Sequence, residues 1–343
     1  MVSKKLERFK RRIYQSLSAR HDRPLGPPTS EESELVGQLK GAFREMSLPK
    51  QKAGSSSEEE WLGNVSRLRE LVLEQDPREF LRWDVILKTM CIAYASYTAP
   101  ELDYLKSHPE WKNRWRHAIE ESAVGHPLPY WRHPESSENL IHHAYHLAQF
   151  EDKTGRRIDA MSFVLEFGAG YGSMCRLIHN LGFKGKYLAF DLPAFSALQR
   201  FFLESLSLTV HSSDEFQAAS RGITCISDIG LLRKVISDRA DKTGSLFVAT
   251  WSISETPLQL RNSILPFVSS FEAFLIAYQA QFGEVDNVSF FRDWAAARDD
   301  VQWHDWRIKQ VPNHNRYLIG KRNSAEDKTS TSKPEVEPAK SNS

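Results

Sequence analysis

Cysteine is scarce in this 343-residue chain. Cys91, Cys175 and Cys225 are odd in number and far apart, so neither a disulfide framework nor a zinc ribbon fits. A reduced, cytoplasmic protein is the simplest reading. Long apolar runs are missing as well: no stretch approaches the roughly 18–20 continuous apolar residues of a membrane-spanning helix. An excess of either charge is also lacking. Forty-five Lys+Arg stand against 44 Asp+Glu, a formal net charge of +1, which gives no whole-molecule case for binding a polyanion. No internal repeat is visible. What remains, 41% hydrophobic and 26% charged residues, excludes a wholly disordered or collagen-like chain.

The near-neutral sum hides an asymmetry. Met1 to Arg23 holds eight Lys+Arg against two acids, and the other 320 residues hold 37 against 42, about −5. A mildly acidic body argues against nucleic acid as its partner. In the basic leader, Leu6, Phe9, Ile13 and Leu17 fall at helical spacing. Such a helix is either solvated or partner-docking, or it rests peripherally on an anionic membrane face through residues 1–23.

Composition shifts divide the chain. Residues 1–57 read as the leader, a second helix near Glu31 to Met46 and the flexible linker Lys52 to Ser57. Residues 58–154 form a helical N-terminal region rich in aromatics, ending in a helix from Ser137 to Lys153. Residues 155–322 alternate short apolar runs with helical periods: strands at 163–167, 186–190, 245–250 and 272–278, helices at 173–181, 194–206 and 257–268. That alternation predicts an α/β fold, a Rossmann-like and mostly parallel sheet. Val301–Val311 and Arg316–Gly320, joined by Pro312 to Asn315, read as a closing antiparallel pair. Residues 323–343 hold almost nothing apolar and read as disordered.

The most informative segment is Phe163-Val164-Leu165-Glu166-Phe167-Gly168-Ala169-Gly170-Tyr171-Gly172. An apolar strand runs into three alternate glycines, and Met174, Leu177, Ile178 and Leu181 then give one helix face. Such a turn lets a ligand approach bare backbone at a helix N-terminus. The dinucleotide fingerprint wants its third glycine five residues after the first; here it comes four after, and Ser173 takes the next position. Glu166, two residues before Gly168, suits a cationic amino group. Asp191, closing the next strand nineteen residues after Gly172, suits a ribose diol. Together these describe S-adenosylmethionine better than a nicotinamide dinucleotide. A tight turn without ligand is the bland alternative.

Glu166 to Gly172, followed by Tyr187-Leu188-Ala189-Phe190-Asp191-Leu192-Pro193, resembles the sugar O-methyltransferases of bacterial polysaccharide clusters, a group of class I S-adenosylmethionine-dependent methyltransferases. The likeness continues in Ala249-Thr250-Trp251-Ser252-Ile253-Ser254-Glu255-Thr256-Pro257 and in Arg316 to Gly320, and covers residues 120–321. It implies a seven-stranded sheet with a reversed last strand. It also implies a cofactor site at Glu166, Gly168, Ala169, Gly170, Tyr171, Gly172, Asp191, Leu192, Thr250 and Trp251. Adenine contact in that superfamily follows the third strand. With that strand placed at Leu208–Val210, Ser213 and Asp214 are the candidates, or else an ordinary turn. The acceptor implied is a sugar or glycan hydroxyl. A non-sugar small molecule, or a non-catalytic cofactor-binding role in polysaccharide assembly, are the alternatives.

An alcohol needs a general base or a metal before it attacks a methyl group. Glu255, beyond strand 245–250, is the first candidate base; otherwise it caps or pairs at the start of the helix after Pro257. His304 and His314 in the closing hairpin, and His126 and His133 before the core, are the histidine alternatives. His142 and His146 share a helix face at metal-compatible spacing, or simply a packed face. Some sugar methyltransferases use a divalent metal, but no acidic pair here identifies one. Tyr130, Trp131, Trp251, Trp294 and Trp303 are candidates for a sugar platform, or core.

Overall fold

The short apolar runs after Gly155 become strands because both of their faces find apolar partners. The computed structural model describes residues 12–47, 56–239, 243–312 and 314–323. The strands of its main sheet are β1 (Phe163–Phe167), β2 (Lys186–Phe190), β3 (Gly222–Ile226), β4 (Ser245–Thr250), β5 (Ala273–Tyr278), β6 (Val301–Arg307) and β7 (Arg316–Arg322). They form one seven-stranded sheet in the order β6–β7–β5–β4–β1–β2–β3. β3, β2, β1, β4 and β5 run parallel. β7 is antiparallel to β5, with Leu318 opposite Ile276, and β6 is antiparallel to β7. This is the mostly parallel, Rossmann-like sheet with a reversed last strand that the sequence predicts.

Alternation along each strand feeds two cores. Val164, Leu246 and Val248 face one, which is covered by α5 (Glu138–Thr154), α6 (Ser173–Asn180) and α7 (Pro193–Ser205). Phe163, Leu165 and Phe247 face the other, with side chains of α9 (Ile229–Ser237), α10 (Leu258–Val268) and α11 (Asn287–Ala296). Each such side chain, fully buried, contributes roughly 1.5–3 kcal/mol.

The helical region does not stand apart from the sheet. Residues of α1 (Ser30–Glu45), α2 (Ser56–Glu74), α3 (Asp84–Thr89) and α4 (Thr98–Ser107) join the first core with α5 and the sheet. α1 starts at Thr29, whose side chain accepts from Glu32 N–H while the Glu32 carboxylate accepts from Thr29 N–H, a capping box. α5 starts at Ser137, whose hydroxyl oxygen accepts from Leu140 N–H, and stops at Gly155, where φ is +65°. Residues 12–19 are helical. Tyr14 stacks on Trp131 at 5.7 Å, while Ile13 stays exposed. The rest of the basic leader (1–11), most of the expected linker (48–55) and nearly all of the expected tail (324–343) lie outside the described residues.

The third strand differs from expectation. Leu208–Val210 supplies only a bridge, Val210 to Ile223, and the strand itself is Gly222–Ile226. Leu208-Thr209-Val210 looks like a strand by residue type, but it only trails out of α7. Ser213 and Asp214 therefore open α8 (Ser213–Ala218), capped by Ser212, and do not follow the carboxyl end of a strand. The closing hairpin also differs: β6 stops at Arg307, and residues 308–315 make a longer connection.

Candidate active site

β1 delivers the chain to its carboxyl end, where Gly168, Gly170 and Gly172 take φ of +72°, +57° and +96°. At Gly168 the reason is local crowding. A Cβ there would lie 2.2 Å from Ser252 Cβ, and Ser252 in turn donates its hydroxyl to the carbonyl of Phe167. At Gly170 the protein leaves room, since the nearest atoms to an added Cβ belong to Met90 at 3.7 Å. Gly170 lines the cleft with bare backbone although an added Cβ would make only ordinary contact with Met90. Gly170 N–H donates to Asp191 Oδ2 at 2.8 Å, and Leu192 N–H donates to Asp191 Oδ1 at 2.7 Å. Gln199 Nε2 holds the Gly170 carbonyl at 2.9 Å.

Above this loop lies a cleft of about 620 Å³ at the carboxyl ends of the strands. Glu166, Gly168, Ala169, Gly170, Tyr171, Asp191, Leu192, Thr250, Trp251 and Glu255 all line it. Gly172 does not; it is the left-handed residue before α6. Tyr171 is chiefly a packing residue, edge-on to Phe80 and Phe202, with its hydroxyl receiving Asn139 Nδ2–H at 2.9 Å. Glu166 is 3% exposed. Its Oε2 accepts from the Tyr187 hydroxyl at 2.6 Å. Burial pushes its pKa up to about 8 against the opposing Tyr187 bond, and the nearby Asp191 charge adds to the rise. Burial likewise raises Asp191 to about 7, opposed by the two backbone N–H donors from Leu192 and Gly170.

A second cavity, about 660 Å³, adjoins the first. Ile92, His142, Trp251 and Glu255 line both. The second adds Tyr97, Gln279, Gln281, His314 and Asn315, and among the described residues no Lys or Arg lines it. Glu255 thus stands at the junction, where burial raises its pKa. Gln279 reaches it because β4 and β5 are neighbours, Thr250 opposite Ala277, so the residues after them meet. The Gln279 Nε2 to Glu255 Oε1 contact is 2.8 Å. The backbone on either side of Glu255 is clamped. Fully buried Arg261 donates Nη2–H to Ser254 O at 2.6 Å and Nε–H to Thr256 O at 2.9 Å. Its third bond, Nη1–H to Asn287 Oδ1, is 2.6 Å.

Helix α5 contributes Asn139 and His143, which sequence reasoning missed, beside His142, which it read as half of a metal-compatible or packed pair. Asn139, His142 and His143 line the cleft. His142 Nδ1 contacts both oxygens of Glu101 at 2.9 Å, and its Nε2 lies 3.0 Å from His146 Nε2. His146 Nδ1 meets the Tyr317 hydroxyl, and burial keeps His146 well below the ordinary histidine pKa. The helical spacing of the two histidines serves this buried chain. Among the described residues no group of three or more His, Cys, Asp or Glu is placed to hold a metal ion. The N-terminal region adds Trp61 and Leu62 of α2 and Met90 to Ile92 as a wall of the cleft, and Ser227 follows β3.

Other expected residues fall elsewhere. Ser213 and Asp214 line neither cavity; the residues beyond the true third strand are Ser227 and Asp228. His314 lines the second cavity, but His304 lines neither. It sits midway along edge strand β6, where burial and then the charges of Lys153 and Lys321 lower its pKa. His126 contacts Asp22 and Glu79, and His133 lies against Trp111. Of the five candidate platform aromatics only Trp251 lines a cavity. Trp294 and Trp303 pack on Phe274, Tyr130 is buried, and Trp131 meets Tyr14.

No family model matches the chain, and no curated protein sequence matches it. Solved structures do. A precorrin-6y C5,15-methyltransferase from Geobacter metallireducens is 14% identical, with a TM-score of 0.36 over 54% of this chain and 89% of that one. An rRNA methylase from Streptococcus thermophilus is 12% identical, TM-score 0.37, over 54% and 95%. A magnesium protoporphyrin IX methyltransferase from Synechocystis with bound S-adenosylmethionine is 10% identical, TM-score 0.35, over 68% and 100%. At these scores the strand order and the residues of the loop, not the overlaps, carry the reading of the site.

Proposed function

We propose that this chain is an S-adenosylmethionine-dependent methyltransferase that methylates a hydroxyl, the acceptor being a sugar in bacterial polysaccharide assembly. The observation that carries the cofactor half is the loop itself: Gly170 lines the cleft with bare backbone, where an added Cβ would meet nothing closer than Met90 at 3.7 Å, and its N–H is tied to Asp191. The donor set fits the ligand. Asp191 has carboxylate lone pairs left for a ribose diol, Glu166 offers a buried carboxyl to an α-amino group, and the apolar surfaces of Leu192 and Ile229 suit an adenine ring.

When bound, the cofactor supplies an electrophilic methyl group on a cationic sulfur. The protein's task is then to place the acceptor oxygen in line and take its proton. Glu255 serves as base, because it faces both cavities and burial makes its carboxylate more basic than a solvated one. Trp251 and Tyr97 give apolar faces for a pyranose, and Gln279, Gln281 and Asn315 give hydrogen-bonding partners. Among the described residues no Lys or Arg lines the second cavity, and this lining suits an uncharged sugar ring better than a phosphate.

Calorimetry with adenosylmethionine and with NAD tests the cofactor. Tight NAD binding with no adenosylmethionine signal would end the proposal. A labelled-methyl assay over nucleotide sugars and short glycans tests the acceptor. Label on a sugar hydroxyl supports it; cofactor binding with label only on a non-sugar acceptor would remove the sugar and keep the methyltransferase.

A further inference from the structure

The hydroxyl of Ser254 has one proton to give and two oxygens beside it. Trp251 O lies at 2.6 Å and Gln279 Oε1 at 2.5 Å. With Gln279 Nε2 toward Glu255, one of those two close oxygen pairs has no proton between its atoms. Turning the amide over removes the conflict. Gln279 Nε2–H then donates to Ser254 Oγ, Ser254 O–H donates to Trp251 O, and Gln279 Oε1 faces Glu255. That last contact, 2.8 Å long, is a hydrogen bond only if Glu255 carries a proton.

We infer that Gln279 is the positioning residue of Glu255, and that its amide reverses each time Glu255 gains or loses a proton. In the ionised arrangement Gln279 Nε2–H donates to the carboxylate and Ser254 donates to Gln279 Oε1. In the protonated arrangement both contacts run the other way, and the Trp251 carbonyl gains the Ser254 hydroxyl as donor. The proton concerned is the one the acceptor hydroxyl gives up as its oxygen bonds to carbon. It passes to Glu255, whose carboxyl turns the protonated oxygen to Gln279, and it leaves to solvent when Glu255 ionises again.

The surroundings hold the relay in place. Asn287 Nδ2–H fixes the Gln279 carbonyl at 2.8 Å, and Arg261 fixes Ser254 O. The titratable groups near Glu255 come from several elements: Glu60 of α2, whose charge disfavours the carboxylate, His142 of α5, and His314 of the β6–β7 connection. Glu60 is itself paired with Lys88 at 3.0 Å. Trp251, the last link, is held at φ +68° between the two cavities.

This inference rests on the methyltransferase reading for its purpose, but its test does not need the acceptor. The full chain is labelled with 15N-glutamine and the Gln279 side-chain amide is followed from pH 5 to 9, identified by its loss in Gln279→Leu. The expected result is a titrating amide whose titration vanishes in Glu255→Gln. Ser254→Ala should lower the midpoint by about one pH unit, tenfold in proton affinity, because the protonated arrangement loses one more hydrogen bond than the ionised one. An amide that does not titrate overturns the inference. So does a midpoint raised by Ser254→Ala, the result for a fixed N–H donor that has lost its support. If Gln279→Leu fails to fold, the Glu255→Gln difference spectrum identifies the resonance. Adenosylmethionine calorimetry on the same sample separates the two claims. Binding with a silent amide removes the relay alone, and a titrating amide without binding removes the methyltransferase reading alone.

Discussion

A buried Glu166 with a pKa near 8 makes cofactor binding a proton-releasing event. At pH 7 such a group is about 90% protonated in the ligand-free protein, so a ligand whose ammonium pairs with the carboxylate must expel that proton. The free ligand's α-amino group, with an ordinary pKa of about 7.8, takes up about 0.1 proton in the process. Net release should therefore be about 0.8 proton at pH 7, and Asp191, raised to about 7, adds up to about half a proton more if the ribose favours its ionised form.

The sign follows from the direction of the shift. The ligand prefers the ionised carboxylate, so affinity climbs as pH rises toward the raised pKa and levels off near pH 8, where the ligand's own ammonium begins to disappear. From pH 6 to 7 the Kd should fall about eightfold, worth about 1.2 kcal/mol. For the ligand-free fold the sense is opposite. A carboxyl whose pKa rises from 4.5 to about 8 on folding binds its proton more tightly when folded, so its contribution to stability declines as pH rises through that window. Titration calorimetry at pH 7, in two buffers of different ionisation enthalpy, measures the proton count directly. Adenosylhomocysteine, which keeps the amino group, should behave like adenosylmethionine, and Glu166→Gln should remove the Glu166 share of both the release and the slope, leaving at most the Asp191 share. A release below about 0.2 proton together with a Kd flat from pH 6 to 7 would refute the reasoning, and the amino end of the ligand would then lie elsewhere.

Other perturbations separate fold from function. Gly168→Ala drives a Cβ to 2.2 Å from Ser252 Cβ at a left-handed φ, so it should lower the melting temperature by several degrees. Gly170→Ala makes only an ordinary contact with Met90 at 3.7 Å and costs only about 1 kcal/mol of backbone strain, yet should weaken adenosylmethionine at least tenfold; equal melting temperatures for the two variants would contradict this. Arg261→Met strips donors from Ser254 O, Thr256 O and Asn287 Oδ1. It should destabilise the protein by roughly 2–4 kcal/mol, read by denaturant titration, and lower turnover more than cofactor affinity. Deleting residues 1–23 should abolish salt-sensitive binding to anionic liposomes, with exposed Ile13 on the contacting side; a full-length chain that ignores such liposomes at low salt removes the peripheral membrane proposal.

The residues of the proposed cofactor half could be found in the sequence because they are local. Glu166, Gly168 and Gly170 sit within five residues, and Asp191 ends the adjacent strand, so strand pairing alone brings it to the loop. The strands themselves were legible where both faces are buried: Phe163–Phe167, interrupted only by Glu166, and Ser245–Thr250, apolar between its ends, read as short apolar runs. β3 is the opposite case. It is an edge strand that opens at Gly222, with φ +122°, and a turn signal stands where the strand begins. Leu208-Thr209-Val210 has the more strand-like residues but only one partner. Propensity named the wrong triplet, and tertiary pairing decided otherwise.

The acceptor half stayed hidden for a different reason. Nothing in the chain places Gln279 beside Glu255, or Glu101 beside His142; β4 lying next to β5, and α4 against α5, do that. The histidine pair at 142 and 146 shows the limit most sharply. Its spacing correctly put both rings on one helix face, yet spacing cannot say what faces them. Glu101 and Tyr317 come from 41 residues before His142 and 171 residues after His146, and they turn a metal-compatible motif into a closed hydrogen-bonded chain. Both nitrogens of His142 are engaged within it, which leaves no lone pair for an acceptor proton. For the proposed reaction that favours the buried carboxyl of Glu255, with one oxygen on Gln279 and a position shared by both cavities, as the candidate base over His142 despite histidine's more suitable ordinary pKa.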